Sequence, residues 1–210
     1  MNHVDRRTTA VVLVLVASLL GCTGGSSGDG RAKESEGIFD PSDDRSLPPI
    51  ATADCPDTSV LRPAASSGAR LPDLDLACIG SDRTVSLRAI SGVPTVLNVW
   101  ASWCLPCKKE MPAFQRVFTA ARGRVAFLGV NVADDERNAR ATIQSTGISY
   151  ASVRSAGREM LNALRVPGPP TTLFVDARGA LVHQEVGELS EAELRQRIEE
   201  HLGVDVPAIP

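Results

Sequence analysis

Hydrophobic positions follow two periods along this chain, and each change of period marks an element. Pro94 to Trp100 (Pro-Thr-Val-Leu-Asn-Val-Trp) and Arg124 to Val132 are mostly apolar runs of strand length, which predicts two central strands buried on both faces. Between them Met111, Phe114, Val117, Phe118 and Ala121 recur at three- and four-residue spacing, the stripe of a helix from Cys104 to about Arg122. Pro112 falls inside that stripe and is expected to kink the helix, because it lacks an N–H and its ring crowds the preceding turn. Leu71 to Cys78 and Thr84 to Ile90 read as short strands or a hairpin around Gly80-Ser81-Asp82. Asp134 to Thr146 reads as a helix stopped by Gly147, Tyr150 to Val153 as a short strand, and Arg158 to Val166 as a helix. Thr171 to Asp176 and Leu181 to Val186 form a hairpin through Ala177-Arg178-Gly179. Ser190 caps the last helix, Glu193 completes a capping box, and Leu194, Ile198 and Leu202 face inward. The order β-α-β-α-β-α-β-β-α predicts an α/β domain: a mixed central sheet with helices on both faces.

Outside residues 69–204 this patterning stops. Arg6 and Arg7 precede an apolar run from Ala10 to Leu20, shorter than the ~20 residues a membrane span needs, which reads as an export signal over residues 1–21. Leu19-Leu20-Gly21-Cys22 resembles a bacterial lipobox, in which cleavage falls before the cysteine and its sulfur carries a diacylglycerol. A lipidated Cys22 would anchor the protein, since each buried acyl CH₂ contributes about 0.8 kcal/mol. The alternative is an ordinary secretory peptide with a chance cysteine. Residues 22–68 are rich in Gly, Ser, Asp and Pro and read as a flexible, disordered linker. Residues 205–210 read as a frayed tail.

Charge excludes one class of partner. The chain carries a formal net charge of -3; removing residues 1–21 takes away Arg6, Arg7 and Asp5, a net +1, and leaves -4. No basic stripe with interleaved aromatics appears, so no nucleic-acid partner is expected. Of five cysteines, Cys22 is assigned to lipid. Cys55 and Cys78 are expected to pair in an oxidising compartment, stapling the end of the linker to the first strand, or else to remain free thiols.

Cys104 and Cys107 carry the chemistry. They lie three positions apart, behind a strand and at the start of a helix, where exposed N–H groups and the positive helix end stabilise a thiolate. A static disulfide there would constrain little loop entropy. A zinc site is the weaker alternative, because beyond the signal segment the chain keeps only His183 and His201 and no second Cys-x-x-Cys supplies further ligands, so no metal and no cofactor are expected.

Leu97-Asn98-Val99-Trp100-Ala101-Ser102-Trp103-Cys104-Leu105-Pro106-Cys107-Lys108-Lys109-Glu110-Met111-Pro112, followed late by Pro170-Thr171-Thr172-Leu173-Phe174-Val175-Asp176, resembles the thioredoxin fold, and more narrowly the TlpA/ResA-type thiol-disulfide oxidoreductases of the bacterial envelope. The resemblance covers about residues 70–203. It implies that Cys104 is the nucleophile and the more exposed sulfur, and that Cys107 resolves the mixed disulfide. Pro106 limits the loop's freedom. Trp103 either helps form the docking surface or simply packs. Thioredoxins proper carry a buried aspartate where Asn98 stands, and Asn98 cannot titrate. Glu110 is the substitute acid/base group, against the alternative of a solvated glutamate beside Lys108 and Lys109. Pro170 is expected to carry a cis peptide, against the alternative of a Pro-rich loop with all bonds trans. Pro169 departs from the usual pattern: relatives often pair that residue's N–H with the substrate strand, and proline has none.

The implied protein exchanges disulfides with protein thiols in the envelope, on the outer face of the cell membrane. The resemblance leans towards a reductant served by a membrane electron donor, with cytochrome c maturation as one setting; an oxidase feeding a membrane acceptor is the alternative. A second class of reading is a thioredoxin-fold binding or chaperone module whose cysteines are incidental. A thiol peroxidase would need a peroxidatic cysteine in a Pro/Thr-bearing loop instead.

Overall fold

The computed structural model describes residues 49–59 and 68–208. The elements are β1 (Asp75–Cys78), β2 (Thr84–Ser86), β3 (Thr95–Trp100), α1 (Leu105–Ala121), β4 (Ala126–Val132), α2 (Glu136–Thr146), β5 (Ser152–Ser155), α3 (Glu159–Leu164), β6 (Thr171–Val175), β7 (Leu181–Val186) and α4 (Glu191–Leu202). They build one seven-stranded sheet in the order β2-β1-β5-β4-β3-β6-β7. Strands β3, β4 and β5 are parallel; the pairs β1–β2, β1–β5, β3–β6 and β6–β7 are antiparallel. This is the mixed sheet that the element order predicts.

Alternation along the strands divides the core. Val96, Trp100, Phe127 and Phe174 point to the side where α1, α2 and α4 supply Met111, Phe114, Ile143, Leu194 and Ile198. Leu97, Val99, Leu128, Val130 and Leu173 point to the other side, against Met160 and Leu161 of α3 and against Leu71, Leu87 and Ile90. Both central strands are therefore apolar on two faces, and their sequences show no alternation. Asn98, Asn131, Ser152 and Thr172 are polar strand residues buried on the first side.

Several boundaries differ from expectation. The run Thr84–Ile90 stops being a strand at Ser86, because Leu87–Ala89 wind into a 3₁₀ turn that buries Leu87. The fifth strand is Ser152–Ser155 rather than Tyr150 to Val153, since buried serines conceal its burial pattern. The last helix has the capping box of Ser190 and Glu193.

Two expectations of disorder are corrected. Residues 49–59, placed by composition in a flexible linker spanning 22–68, pack on the domain instead. Ile50 lies against the core, Cys55 and Thr58 are buried, the Ala53 N–H donates to the Ser149 carbonyl at 2.6 Å, and the Ser86 N–H donates to Thr58 Oγ1 at 2.8 Å. The anchors are single residues without a period, so no pattern betrays them. Likewise Val206, assigned to a frayed tail, is buried in the core cluster beside α4. The export signal, Cys22 and the first part of the linker lie outside the described residues.

Candidate active site

The carboxyl end of β3 turns through Ala101–Trp103 into α1, and the two cysteines sit at that turn. Cys104 is the N-cap residue: it is extended, and its Sγ accepts the N–H of Cys107 at 3.2 Å. That N–H is one of the donors a helix leaves unpaired in its first turn, so it is placed to hold charge on Sγ when the disulfide opens. Pro106 lies in the same first turn, where its missing N–H costs nothing. The two sulfurs are bonded at 2.00 Å, with Cα atoms 5.3 Å apart. Cys107 is fully buried and Cys104 nearly so, at 4 % exposure, while Trp103 and Leu105 on either side of Cys104 are 58 % and 64 % exposed. A buried bond is thus framed by two exposed apolar side chains.

Glu110 stands one turn beyond Cys107 on α1 and is 1 % exposed, although Lys108 and Lys109 before it are in solvent. A solvated glutamate beside a charge run is therefore not what the fold produces. Its Oε1 accepts from Asn98 Nδ2 at 2.7 Å and its Oε2 from the Leu189 N–H at 3.1 Å. Burial raises its carboxyl from the usual 4.5 to about 7, against these two donors, and Glu188 adds a smaller push upward. The Tyr150 hydroxyl donates to Asn98 Oδ1 at 3.4 Å, so the amide reads the phenol on one side and the carboxylate on the other. Burial, with Glu110 beside it, keeps the phenol protonated at any physiological pH.

The Pro169–Pro170 peptide is cis. Pro170 precedes β6, whose Thr171 pairs with Val99, so register sets Pro170 level with Trp100, four residues before Cys104. Its carbonyl accepts the Gly187 N–H at 3.0 Å, and Pro169 offers no donor of its own. Cys55 and Cys78 are bonded and buried, in a different core cluster from Cys104 and Cys107. Cys22 lies outside the described residues. Among the described residues, no group of three or more His, Cys, Asp or Glu side chains is placed to hold a metal ion, and no helix is long and apolar enough to cross a membrane.

Tyr150 and Leu189 are the contributors that the sequence pattern does not reveal. Tyr150 is the chain's one tyrosine, and Asn98 and Asn131 interrupt otherwise apolar strands. A polar residue inside a two-sided apolar run is the signal that marks such partners.

A family profile described as the AhpC/TSA family matches residues 67–184, more than half of the chain. A thiol:disulfide interchange protein, DsbE, from Pseudomonas fluorescens biotype C is 29% identical over 137 residues, 65% of this chain and 75% of that protein. The thiol-disulfide oxidoreductase ResA of Geobacillus thermodenitrificans is 28% identical over 65% of this chain and 78% of its own length. A solved thiol:disulfide interchange protein of the thioredoxin family from Chlorobium tepidum superposes with a TM-score of 0.57 at 24% identity, over 67% of this chain and 100% of that one, and shows the same fold.

Proposed function

This chain belongs to the AhpC/TSA family and is a thiol-disulfide oxidoreductase of the ResA/DsbE type with a thioredoxin-like fold; from that premise we propose that it reduces disulfides in exported proteins through Cys104 and Cys107, with Glu110 as the proton acceptor. The observation that carries the reading is the cysteine pair capping α1 with a buried carboxyl group one turn behind it.

The steps balance as a two-electron exchange. The Cys104 thiolate attacks one sulfur of a substrate disulfide; that bond breaks, the departing substrate sulfur leaves as a thiolate, and a mixed disulfide forms. Glu110 takes the Cys107 proton, and the resulting thiolate attacks Cys104 Sγ. The second substrate sulfur leaves, and the chain holds the Cys104–Cys107 disulfide. A membrane electron donor returns two electrons to reopen it. A carboxyl group titrating near 7 suits this work, being able to accept a proton in resolution and return one in reactivation.

Trp103 and Leu105 are the apolar ground on which a substrate segment rests, and the Pro169–Pro170 turn borders it. Because Pro169 has no N–H, the substrate strand loses one main-chain bond on that side, and side-chain contact carries more of the docking. Anchoring through a lipidated Cys22 would keep the domain at the outer membrane face, where cytochrome c maturation is one process that consumes thiols. The Cys55–Cys78 bond is structural in this scheme.

Equilibrating the protein with glutathione buffers and following the Cys104 and Cys107 thiols tests the direction of flow. A potential near -270 mV, at the thioredoxin end, supports a reductant, whereas one near -120 mV would mean an oxidase. Cys104→Ser abolishes exchange; a cell that lacks the wild-type chain yet is fully complemented by this variant would show a binding module instead.

A further inference from the structure

The loop that delivers Cys104 to its helix is fixed from outside by one carboxylate. Asp134 lies two residues past β4, and both of its oxygens are occupied by donors. Oδ2 accepts the Ser102 N–H at 2.6 Å and Asn131 Nδ2 at 2.7 Å; Oδ1 accepts the Ser102 hydroxyl at 2.7 Å and the Asp135 N–H at 2.9 Å. Three N–H groups and one hydroxyl surround it, and all four donate to it. Only a carboxylate accepts from all four, because an amide in its place turns an N–H₂ group toward at least one N–H donor.

The neighbouring residue completes the grip. Ala133 has φ +47°, a left-handed conformation that an alanine rarely takes. Its N–H is shared between the Ser155 and Gly157 carbonyls, at 3.1 and 3.2 Å, and its own carbonyl accepts the indole N–H of Trp103 at 3.0 Å. So the two residues after β4 hold the two residues before Cys104: Asp134 holds Ser102, and Ala133 holds Trp103. The Cys104 N–H closes the turn on the Ala101 carbonyl at 3.1 Å.

We propose that Asp134 is a positioning residue for protein substrates: by tying Ser102 to the end of β4 it sets the pose of Trp103 beside the cysteine pair. A side chain 58 % exposed keeps one rotamer only if something holds it, and here the indole N–H and the backbone on its amino side are both held. The inference rests on the reading of Trp103 as docking ground. It separates two classes of substrate. A protein disulfide must lie on Trp103 to reach the sulfurs, whereas a small disulfide reaches Cys104 without it.

The test uses the full-length protein, reduced, in single-turnover reactions with insulin as the protein disulfide and dithiodipyridine as the small one. Trp103→Ala reports on the docking face itself. For Asp134→Asn the expected result is about a tenfold rise in the insulin concentration at half-maximal rate, the scale of losing a charge-assisted hydrogen bond. Its rate with dithiodipyridine stays within about twofold, the loss falling on docking alone. Acrylamide quenching of the exposed indole increases in parallel. Ser102→Ala, which removes one of the four donors and leaves the fold's backbone bonds alone, shifts insulin in the same direction by less. The double variant Trp103→Ala with Asp134→Asn is no worse than Trp103→Ala alone, because the carboxylate acts through the indole. If Trp103→Ala leaves insulin unaffected, the docking reading fails and the inference falls with it. If Trp103→Ala weakens insulin but Asp134→Asn and Ser102→Ala do not, or if Asp134→Asn slows both disulfides equally, the assignment of Asp134 is overturned while the docking face stands.

Discussion

A buried carboxyl group with a raised titration point is a stability liability before it is a catalyst. Glu110 titrates near 7 in the folded chain against 4.5 ordinarily, so the folded form binds the proton more tightly than the unfolded one. Its contribution is fully present below about pH 4.5 and is lost as pH rises through 7, a change of about 3 kcal/mol at 1.36 kcal/mol per unit. Glu110→Gln lacks this pH dependence. Denaturant titrations at pH 5 and pH 8 should show wild type losing about 2.5 kcal/mol more than the variant between the two; equal losses would mean that Glu110 is not buried as described. The same residue should set the lower limb of the exchange rate, which rises through pH 7 as the carboxylate forms. Asn98→Leu removes the donor at 2.7 Å and should move that limb upward by about one unit, read from the pH profile of insulin reduction. Spacing from Cys107 suffices to nominate Glu110, but its burial is invisible locally. The second donor comes from Leu189, 79 positions away, and no window of sequence contains both.

At the scale of elements, what the chain announces plainly is what local chemistry decides. The capping box of Ser190 and Glu193, the αL stop at Gly147 and the start of α1 at the Cys104 cap all follow from residues within a few positions of one another. Strand edges are less legible. β5 carries two buried serines, and β2 ends where a 3₁₀ turn buries Leu87, because tertiary burial overrides the alternation that would have marked them. Gly129 shows the same limit in the opposite sense. It sits mid-strand, where glycine is poor, because a Cβ there would collide with the Ser152 hydroxyl and would lie 2.8 Å from the Trp100 indole nitrogen. Both obstacles are buried, with little room to move aside. Gly129→Ala should therefore cost about 1–3 kcal/mol in denaturant unfolding, the range for overpacking a filled core, where an exposed strand site would gain from the same change. An unchanged midpoint would show that the indole and hydroxyl yield freely.

Across the whole molecule, the two disulfides divide the labour. Cys104–Cys107 closes a loop too short to constrain the unfolded chain, whereas Cys55–Cys78, separated by 23 positions, joins a segment that would otherwise be held by a handful of single contacts. Residues 49–59 contribute Ile50 to one side of the core and Cys55 to the other, and hydrogen-bond to Ser149 and Ser86. Composition reads this stretch as tether because its anchors are isolated and its largest stabilising element is covalent, a pairing that sequence proposes without geometry. Its loss is measurable apart from the redox chemistry. Replacing Cys55 and Cys78 together by Ser should lower unfolding stability by about 3 kcal/mol, the loop-closure value for a ring of that size. Insulin reduction through Cys104 and Cys107 should persist at temperatures where the domain remains folded, since neither buried sulfur belongs to the helix start. Thermal melts of wild type and the double variant, each with and without dithiothreitol, decide the matter. The wild type should fall toward the variant on reduction and the variant should hardly move; a wild type indifferent to the reductant would assign the packing of residues 49–59 to its side chains and hydrogen bonds alone.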